Sequence, residues 1–155
     1  MRKLNGCTPL AWIAAGLVLA ACVRTTQTAG TSGAAGGAAV GLAGTSWRLE
    51  DVGGRPPVEV PGGGVPTLVF AAGEPRASGN GGCNQFNGSF TQNDASLRFG
   101  PLASTRRACL NDAANAQETA YLRALESTTR FSVSGDVLVL YAGDAVVARL
   151  RRTTG

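Results

Sequence analysis

The stretch "RFSVSGDVLVLYAGDAVVARLRR" (130–152) decides the fold class, because short runs rich in valine and leucine are separated by two tight turns. Valine and aromatic residues favour β-strands, while glycine, aspartate and serine favour turns. The turns fall at Ser134-Gly135-Asp136 and at Gly143-Asp144. The sequence therefore predicts three short antiparallel strands joined as a meander.

Strand patterns also occupy the preceding part of the chain. Trp47 and Leu49 alternate with polar residues, as do Leu68 and Phe70, and Pro/Gly-rich segments separate the two runs. Alternation with period two indicates strands with one buried face. The segment "GSFTQNDASLRFG" (88–100) places two further runs around Asn93-Asp94, which predicts a hairpin.

One segment, "NDAANAQETAYLRALESTTR" (111–130), has a helical pattern instead. Tyr121, Leu122 and Leu125 fall on one face at helical spacing. Asn115 three residues before Glu118 fits a capping box, and Asp112 is the alternative cap. Many antiparallel strands with one helix before the last meander predict an α+β fold.

The N-terminus has the features of an export signal. Residues 1–21 combine Arg2 and Lys3 with a short apolar run, and the run ends in Leu19-Ala20-Ala21-Cys22. This ending matches a lipobox, which predicts cleavage before Cys22 and attachment of the protein to a membrane through acyl chains on that cysteine. The alternative is an ordinary secretory signal in which the cysteine is accidental. Residues 22–43 lack aromatic and acidic residues, so we expect a lipidated flexible tether and a folded domain over 44–153.

Composition excludes several classes of function. The chain contains no histidine, which rules out Ser-His-Asp and Cys-His catalysis and histidine-ligated zinc. After removal of the signal, twelve arginines face ten acids, and this small excess does not indicate nucleic-acid binding. No residue pattern indicates a metal site or a cofactor.

The glycine-rich stretch "GNGGCNQFNG" (79–88) raises the question of a reactive cysteine. Cys83 and Cys109 are the two cysteines of the predicted domain, and export places them where thiols oxidise, so we predict a disulfide. Two free buried thiols and a reactive Cys83 are the alternatives. The glycines fit neither phosphate-binding motif, so the stretch is interpreted as a turn or bulge that pins a strand, with Phe86 buried.

Charged residues give no catalytic constellation. Glu50 and Asp51 are adjacent and would face opposite sides of a strand, and Glu118 and Glu126 lie two helical turns apart. We interpret these acids as solvated surface groups and predict no catalytic residue. Three arginines near the C-terminus are interpreted as the charged face of an edge strand, and contact with anionic lipid or glycan is the alternative: Arg149, Arg151 and Arg152.

Four segments in this order, "GCNQFNGSF" (82–90), "LASTRRAC" (102–109), "ETAYLRAL" (118–125) and "FSVSGDVLVL" (131–140), resemble the META domain of HslJ-type heat-shock-inducible bacterial envelope lipoproteins. The resemblance implies a strongly twisted, barrel-like antiparallel sheet with one helix. It implies a link to envelope stress and antibiotic tolerance, and no enzymatic activity. The residues that carry it are Gly82, Cys83, Asn84, Gly88, Thr105 and Cys109.

Two functional hypotheses follow. The first is a non-enzymatic, lipid-anchored envelope protein, facing the periplasm from the outer membrane, that acts in stress tolerance through binding or structural contacts. The second is an envelope inhibitor or a small-ligand or glycan-binding module that uses the loop "GGRPPVEVPGGG" (53–64). The expected partners are therefore the membrane, through Cys22, and an envelope protein or glycan.

Overall fold

Nine β-strands and one α-helix make up the part of the chain that a computed structural model describes, residues 41–58, 64–107, 109 and 111–153. The elements are β1 (Ser46–Val52), β2 (Thr67–Phe70), β3 (Arg76–Asn80), β4 (Gln85–Asn93), β5 (Ser96–Phe99), β6 (Ala103–Ser104), α1 (Asp112–Ser127), β7 (Arg130–Ser134), β8 (Val137–Ala142) and β9 (Ala145–Arg152).

The predicted N-terminal segments fall mostly outside these residues: the signal peptide (1–21), Cys22 and the tether up to residue 40 are not among them. The last part of the predicted tether is described. Leu42 is fully buried in the core, and its N–H donates to Gln92 Oε1 at 3.0 Å. Leu42 therefore packs with the core although the sequence places it in the tether.

All strand pairs are antiparallel, and the sheet order is β3-β2-β1-β9-β8-β7-β5-β4-β6. A further pairing of β3 with β4 closes the sheet, so eight strands form a closed, barrel-like structure and β6 lies outside the ring. Both predicted turns of the C-terminal meander are present, and Gly135 and Gly143 take φ of 57° and 59°, which glycine adopts without strain. The hairpin of β4 and β5 turns at Asp94, as expected. The α+β, barrel-like fold is confirmed.

The predicted alternation produces the core. The inward residues of β1 and β2, Trp47, Leu49, Leu68 and Phe70, are at most 2 % exposed. The meander strands β8 and β9 add four fully buried residues, Leu138, Leu140, Ala148 and Leu150. Phe86 of β4 is also buried, as predicted.

The arginines of β9 do not lie on an edge strand, so that interpretation is wrong. β9 pairs with β1 on one side and with β8 on the other. Arg149 lies 3.5 Å from Asp51, and Arg151 pairs with Glu50 on the neighbouring strand. These cross-strand ion pairs occupy the outer face of the sheet, where the surrounding water keeps each contribution small.

Helix α1 starts four residues earlier than the capping-box pattern indicates. Asn111 is the N-cap, and its Oδ1 accepts from the N–H of Ala114 at 2.7 Å. Asn115 and Asp112 are therefore inside the helix rather than capping it. Among the described residues, no helix is long and apolar enough to cross a membrane.

The helix packs against β1, β5, β8 and β9 and shares their core. Tyr121 of the helix is fully buried and lies edge-on to Phe86 of β4, with ring centroids 6.0 Å apart. Its hydroxyl donates to the Thr67 carbonyl at 3.2 Å, and burial raises the pKa of Tyr121 well above its ordinary value. The same face of the helix also carries two buried polar residues, Gln117 and Glu118.

Candidate functional site

Glu118 ties the helix to the glycine-rich stretch of the sequence. Its Oε2 accepts from the backbone N–H groups of Cys83 at 3.0 Å and Asn84 at 2.7 Å. Its Oε1 accepts from Asn84 Nδ2 at 2.6 Å. The residue is only 9 % exposed, so its interpretation as a solvated surface acid is wrong. Three donors compensate for the water that the carboxylate loses on burial.

Asn84 extends this contact to the segment that follows β6. Its Oδ1 accepts from Thr105 Oγ1 at 2.9 Å and from the N–H of Arg107 at 2.7 Å. Its Nδ2 also donates to the Arg107 carbonyl at 3.0 Å. The buried amide therefore uses both its oxygen and its nitrogen, and it joins three separate segments of the chain.

A disulfide between Cys83 and Cys109 joins two of the same segments, as predicted, with Cα atoms 5.6 Å apart. The two sulfurs and a Glu118 carboxylate oxygen lie within 4.8 Å of one another. Because the sulfurs are bonded to each other, neither is the thiolate that metal binding or nucleophilic attack requires. The alternatives of free thiols and a reactive Cys83 are thus not what the structure contains.

Close approach explains two of the glycines here. A Cβ at Gly81 would lie 2.7 Å from Cγ of Glu118 and 2.8 Å from its Oε2. A Cβ at Gly88 would lie 2.7 Å from Cδ2 of Leu102 and 2.8 Å from the Pro101 carbonyl. The structure therefore brings together five of the six residues singled out by the sequence, namely Gly82, Cys83, Asn84, Thr105 and Cys109. We call these five residues, together with Glu118, the Glu118 clamp. Gly88 lies on β4, just beyond it.

A groove lies next to this clamp. Gln117, the residue before Glu118 in the helix, is part of its lining. The groove has a volume of about 680 Å³ and runs between α1, the segment that follows β1 and the start of β9. Three exposed alanines of the helix, Ala113, Ala116 and Ala120, form one wall. Three valines of the other two segments, Val58, Val146 and Val147, form the opposite wall. Four residues of the loop singled out by the sequence line this groove, namely Gly53, Arg55, Pro56 and Val58. Residues 59–63 of that loop lie outside the described part.

Gln117 lines the groove and is only partly hydrogen-bonded. Its Oε1 accepts from the N–H of Val58, which fixes the orientation of the side-chain amide. Its Nε2 is buried and has no hydrogen-bond partner among the described residues. Gln117 is 7 % exposed, so the unpaired donor belongs to a side chain that is more than nine-tenths buried. Such a group is costly unless a ligand or water pairs with it.

Two arginines add positive charge to the groove. Arg55 and Arg123 both line it and are both exposed. Neither forms an ion pair with any acid in the described part of the chain. None of the described residues that line the groove is an acid, so these residues make its walls apolar and its charge positive.

Comparison with known proteins identifies the fold family. The profile of the META domain family matches residues 40–154, most of the chain. The chain belongs to the META domain family. A solved structure described as "NMR structure of the protein from Burkholderia xenovorans" is 31 % identical with a TM-score of 0.60, and the match covers 74 % of this chain and 85 % of that one.

A second solved structure, described as "NMR structure of the protein", is 23 % identical with a TM-score of 0.57. That match covers 71 % of this chain and 90 % of the other, and it supports the fold alone. No curated protein matches this META domain.

Sequence reasoning found the cysteines and the asparagine of the clamp but missed Glu118 and Gln117. A signal for both was present in the helical pattern. Glu118 stands three and seven residues before Tyr121 and Leu125, so it shares their apolar face. Gln117 stands four and seven residues before Tyr121 and Ala124, which are also buried. A polar residue on the buried face of a helix indicates a specific partner.

Proposed function

We propose that this META domain is a non-enzymatic binding protein of the cell envelope, held at the membrane through Cys22, that supports tolerance to envelope stress or antibiotics. The observation that carries the proposal is the groove beside Gln117, where an apolar surface surrounds a buried donor without a partner. Ligand pockets typically combine apolar walls with a few placed polar groups.

The chemistry of the groove supports binding rather than catalysis. No acid is found among its described lining residues, and the whole chain has no histidine. Hydrolysis or group transfer needs a group that moves a proton, and arginine remains protonated at physiological pH. The unpaired groups of the groove can hold a ligand, but they cannot take a proton from it.

The N-terminal sequence and the disulfide support the location. Leu19-Ala20-Ala21-Cys22 fits lipid attachment, and Val23 rather than aspartate follows the cysteine, which favours the outer membrane facing the periplasm. A disulfide between Cys83 and Cys109 suits an oxidising compartment. The lipid anchor would keep the binding domain at the envelope surface.

Complementation tests this proposal in a native-host strain that lacks the gene. We expect the wild-type chain to restore survival under envelope stress, whereas Cys22→Ser should be released from the membrane fraction and should fail. Ala120→Leu should also fail, because the larger side chain occupies the groove without reaching the core. Thr119→Leu is the matched control, since Thr119 is exposed on the same helix and does not line the groove.

Full complementation by Ala120→Leu would refute the groove as the functional surface. Retention of Cys22→Ser in membranes with unchanged mobility would refute the anchor. The two parts of the proposal can therefore fail separately.

An envelope inhibitor or glycan-binding module is the second candidate function. Part of the loop expected to make such contacts does line the groove, through Gly53, Arg55, Pro56 and Val58. However, the groove has the size of a small-molecule pocket, and the lining residues that the structure describes include no aromatic ring on which a sugar could stack. These features favour a small apolar ligand over a protein or a glycan.

A further inference from the structure

We propose that the groove binds a small apolar acid, an alkyl carboxylate whose anionic end pairs with Gln117 Nε2, Arg55 and Arg123. This inference rests on the proposed function of the groove as a binding surface and adds the chemical class of the ligand. It depends on three independent features of the described residues: the unpaired donor, the unpaired cations and the apolar walls.

The polar groups of the groove are donors that lack acceptors. Gln117 Oε1 already accepts from the Val58 N–H, so the atom left without a partner in the described structure is the NH₂ group. A ligand that satisfies it must present an acceptor. A carboxylate accepts several hydrogen bonds at once, and a charged acceptor makes stronger hydrogen bonds than a neutral one.

The positive charge of the groove favours a ligand whose acceptor group is negatively charged. Arg55 and Arg123 contribute two guanidinium groups, and none of the other lining residues that the structure describes is an acid that would offset them. Five acids elsewhere in the described chain pair with other arginines, such as Asp51 with Arg149 and Glu50 with Arg151. An anion is therefore favoured over a neutral or cationic molecule of the same shape.

The apolar walls of the groove favour a ligand whose remaining part is apolar. Ala113, Ala116 and Ala120 are exposed on the helix at spacings of three and four residues, which leaves a shallow apolar channel along one face. Val58, Val146 and Val147 face it from the other side. The volume of about 680 Å³ lies within the usual range for small-molecule sites, so an alkyl chain fits better than a protein surface.

Titration of the purified chain with octanoate tests the inference, using NMR shifts of the Gln117 side-chain amide and calorimetry. Octanol, octylammonium and acetate serve as probes that lack the charge, reverse it, or lack the alkyl chain. We expect octanoate to bind at least about tenfold more tightly than each of the three, as for one charge-assisted hydrogen bond. The Gln117 NH₂ signal should move on binding.

Variants separate the contributions of the three features. Gln117→Glu keeps the acceptor for Val58 and removes the donor, so it should weaken octanoate binding about tenfold or more. Arg123→Gln should weaken it about threefold, and Arg98→Gln, an exposed arginine outside the groove, should leave it unchanged. Ala120→Leu should abolish binding, and Thr119→Leu should not. The arginine and alanine variants keep the test valid if Gln117→Glu fails to fold.

Equal binding of octanol and octanoate, or unchanged binding by Arg123→Gln, would overturn the anionic class of the ligand. Unchanged binding by Ala120→Leu would overturn the site. Binding to phosphatidylglycerol vesicles without binding to octanoate would overturn the small acid in favour of a lipid surface. Failure of octanoate to bind, together with loss of complementation by Ala120→Leu, would refute the ligand class and leave the proposed function standing.

Discussion

Two neighbouring residues of one helix, Glu118 and Gln117, have opposite surroundings. Both are buried and both face other parts of the chain, but the Glu118 carboxylate receives three hydrogen bonds, whereas Gln117 Nε2 has none within the described structure. Fully paired polar groups hold segments together, and unpaired ones cost stability unless something binds them. We therefore attribute a structural role to the clamp and propose a binding role for the groove.

Loss of Asn84 should have the largest effect on the clamp. Asn84→Ala removes the partner of Glu118 Oε1, Thr105 Oγ1 and both backbone groups of Arg107. We expect the free energy of unfolding to fall by about 4 kcal/mol, roughly 1 kcal/mol for each group left without a partner. Urea unfolding followed by circular dichroism measures this loss.

Asn87→Ala is the matched control, because Asn87 is exposed on β4 and makes only a long contact with Arg76. It should change stability by less than about 0.5 kcal/mol. Similar losses for the two variants would mean that the clamp adds no stability of its own.

Reduction of the disulfide should have the next largest effect. Closing a loop between residues 26 apart stabilises a fold by about 3.5 kcal/mol in the chain-entropy model. Replacing both cysteines with alanine, or adding reductant, should therefore lower the urea midpoint strongly without changing octanoate binding. An unchanged midpoint after verified reduction would contradict the role of the disulfide in the clamp.

The close approach at Gly81 predicts a smaller effect. Gly81→Ala places a Cβ 2.7 Å from the Glu118 side chain, which must move away from its donors. We expect a loss of about 2 kcal/mol, typical of overpacking at a well-packed site. Gly73→Ala is the control, since nothing lies within 4 Å of a Cβ there. Equal stability of the two variants would show that Glu118 can move freely.

Tyr121 links the helix to the sheet independently of both regions and predicts a small effect at alkaline pH. Burial raises the pKa of Tyr121, so the folded state keeps the proton that the unfolded chain loses near pH 10. Its contribution is fully present below pH 10 and is lost as the pH rises above that value, by about 1.4 kcal/mol at pH 11. Tyr121→Phe should remove this part of the pH dependence, and an identical alkaline loss in both proteins would contradict it.

Much of the fold could be predicted because its signals are local. Trp47 and Leu49 alternate within one strand, and Gly135 and Gly143 mark turns within a few residues of the strands they join. The pairing of β9 was not predictable in this way, because its partner β1 lies about one hundred residues away in the sequence. From sequence order alone, β9 is therefore predicted to be an edge strand.

The candidate site shows the same division. Cys83 and Cys109 could be paired from the sequence because the predicted domain has only two cysteines. The hydrogen bonds of Glu118 could not be predicted in this way, since its donors lie 34 and 35 residues before it and only the closed sheet brings them together. Gln117 depends on Val58, which lies 59 residues away. Polar contacts over such distances depend on the tertiary structure.

Parallel substitution of the two neighbours tests the central claim most directly. Glu118→Met leaves three donors unpaired, whereas Gln117→Met removes a donor that had no partner in the described structure and frees the N–H of the exposed Val58 for water. Urea unfolding should show that Glu118→Met loses about 3 kcal/mol or more, and that Gln117→Met loses less than about 1 kcal/mol. Equal losses from the two substitutions would contradict the assignment of architecture to one residue and binding to the other.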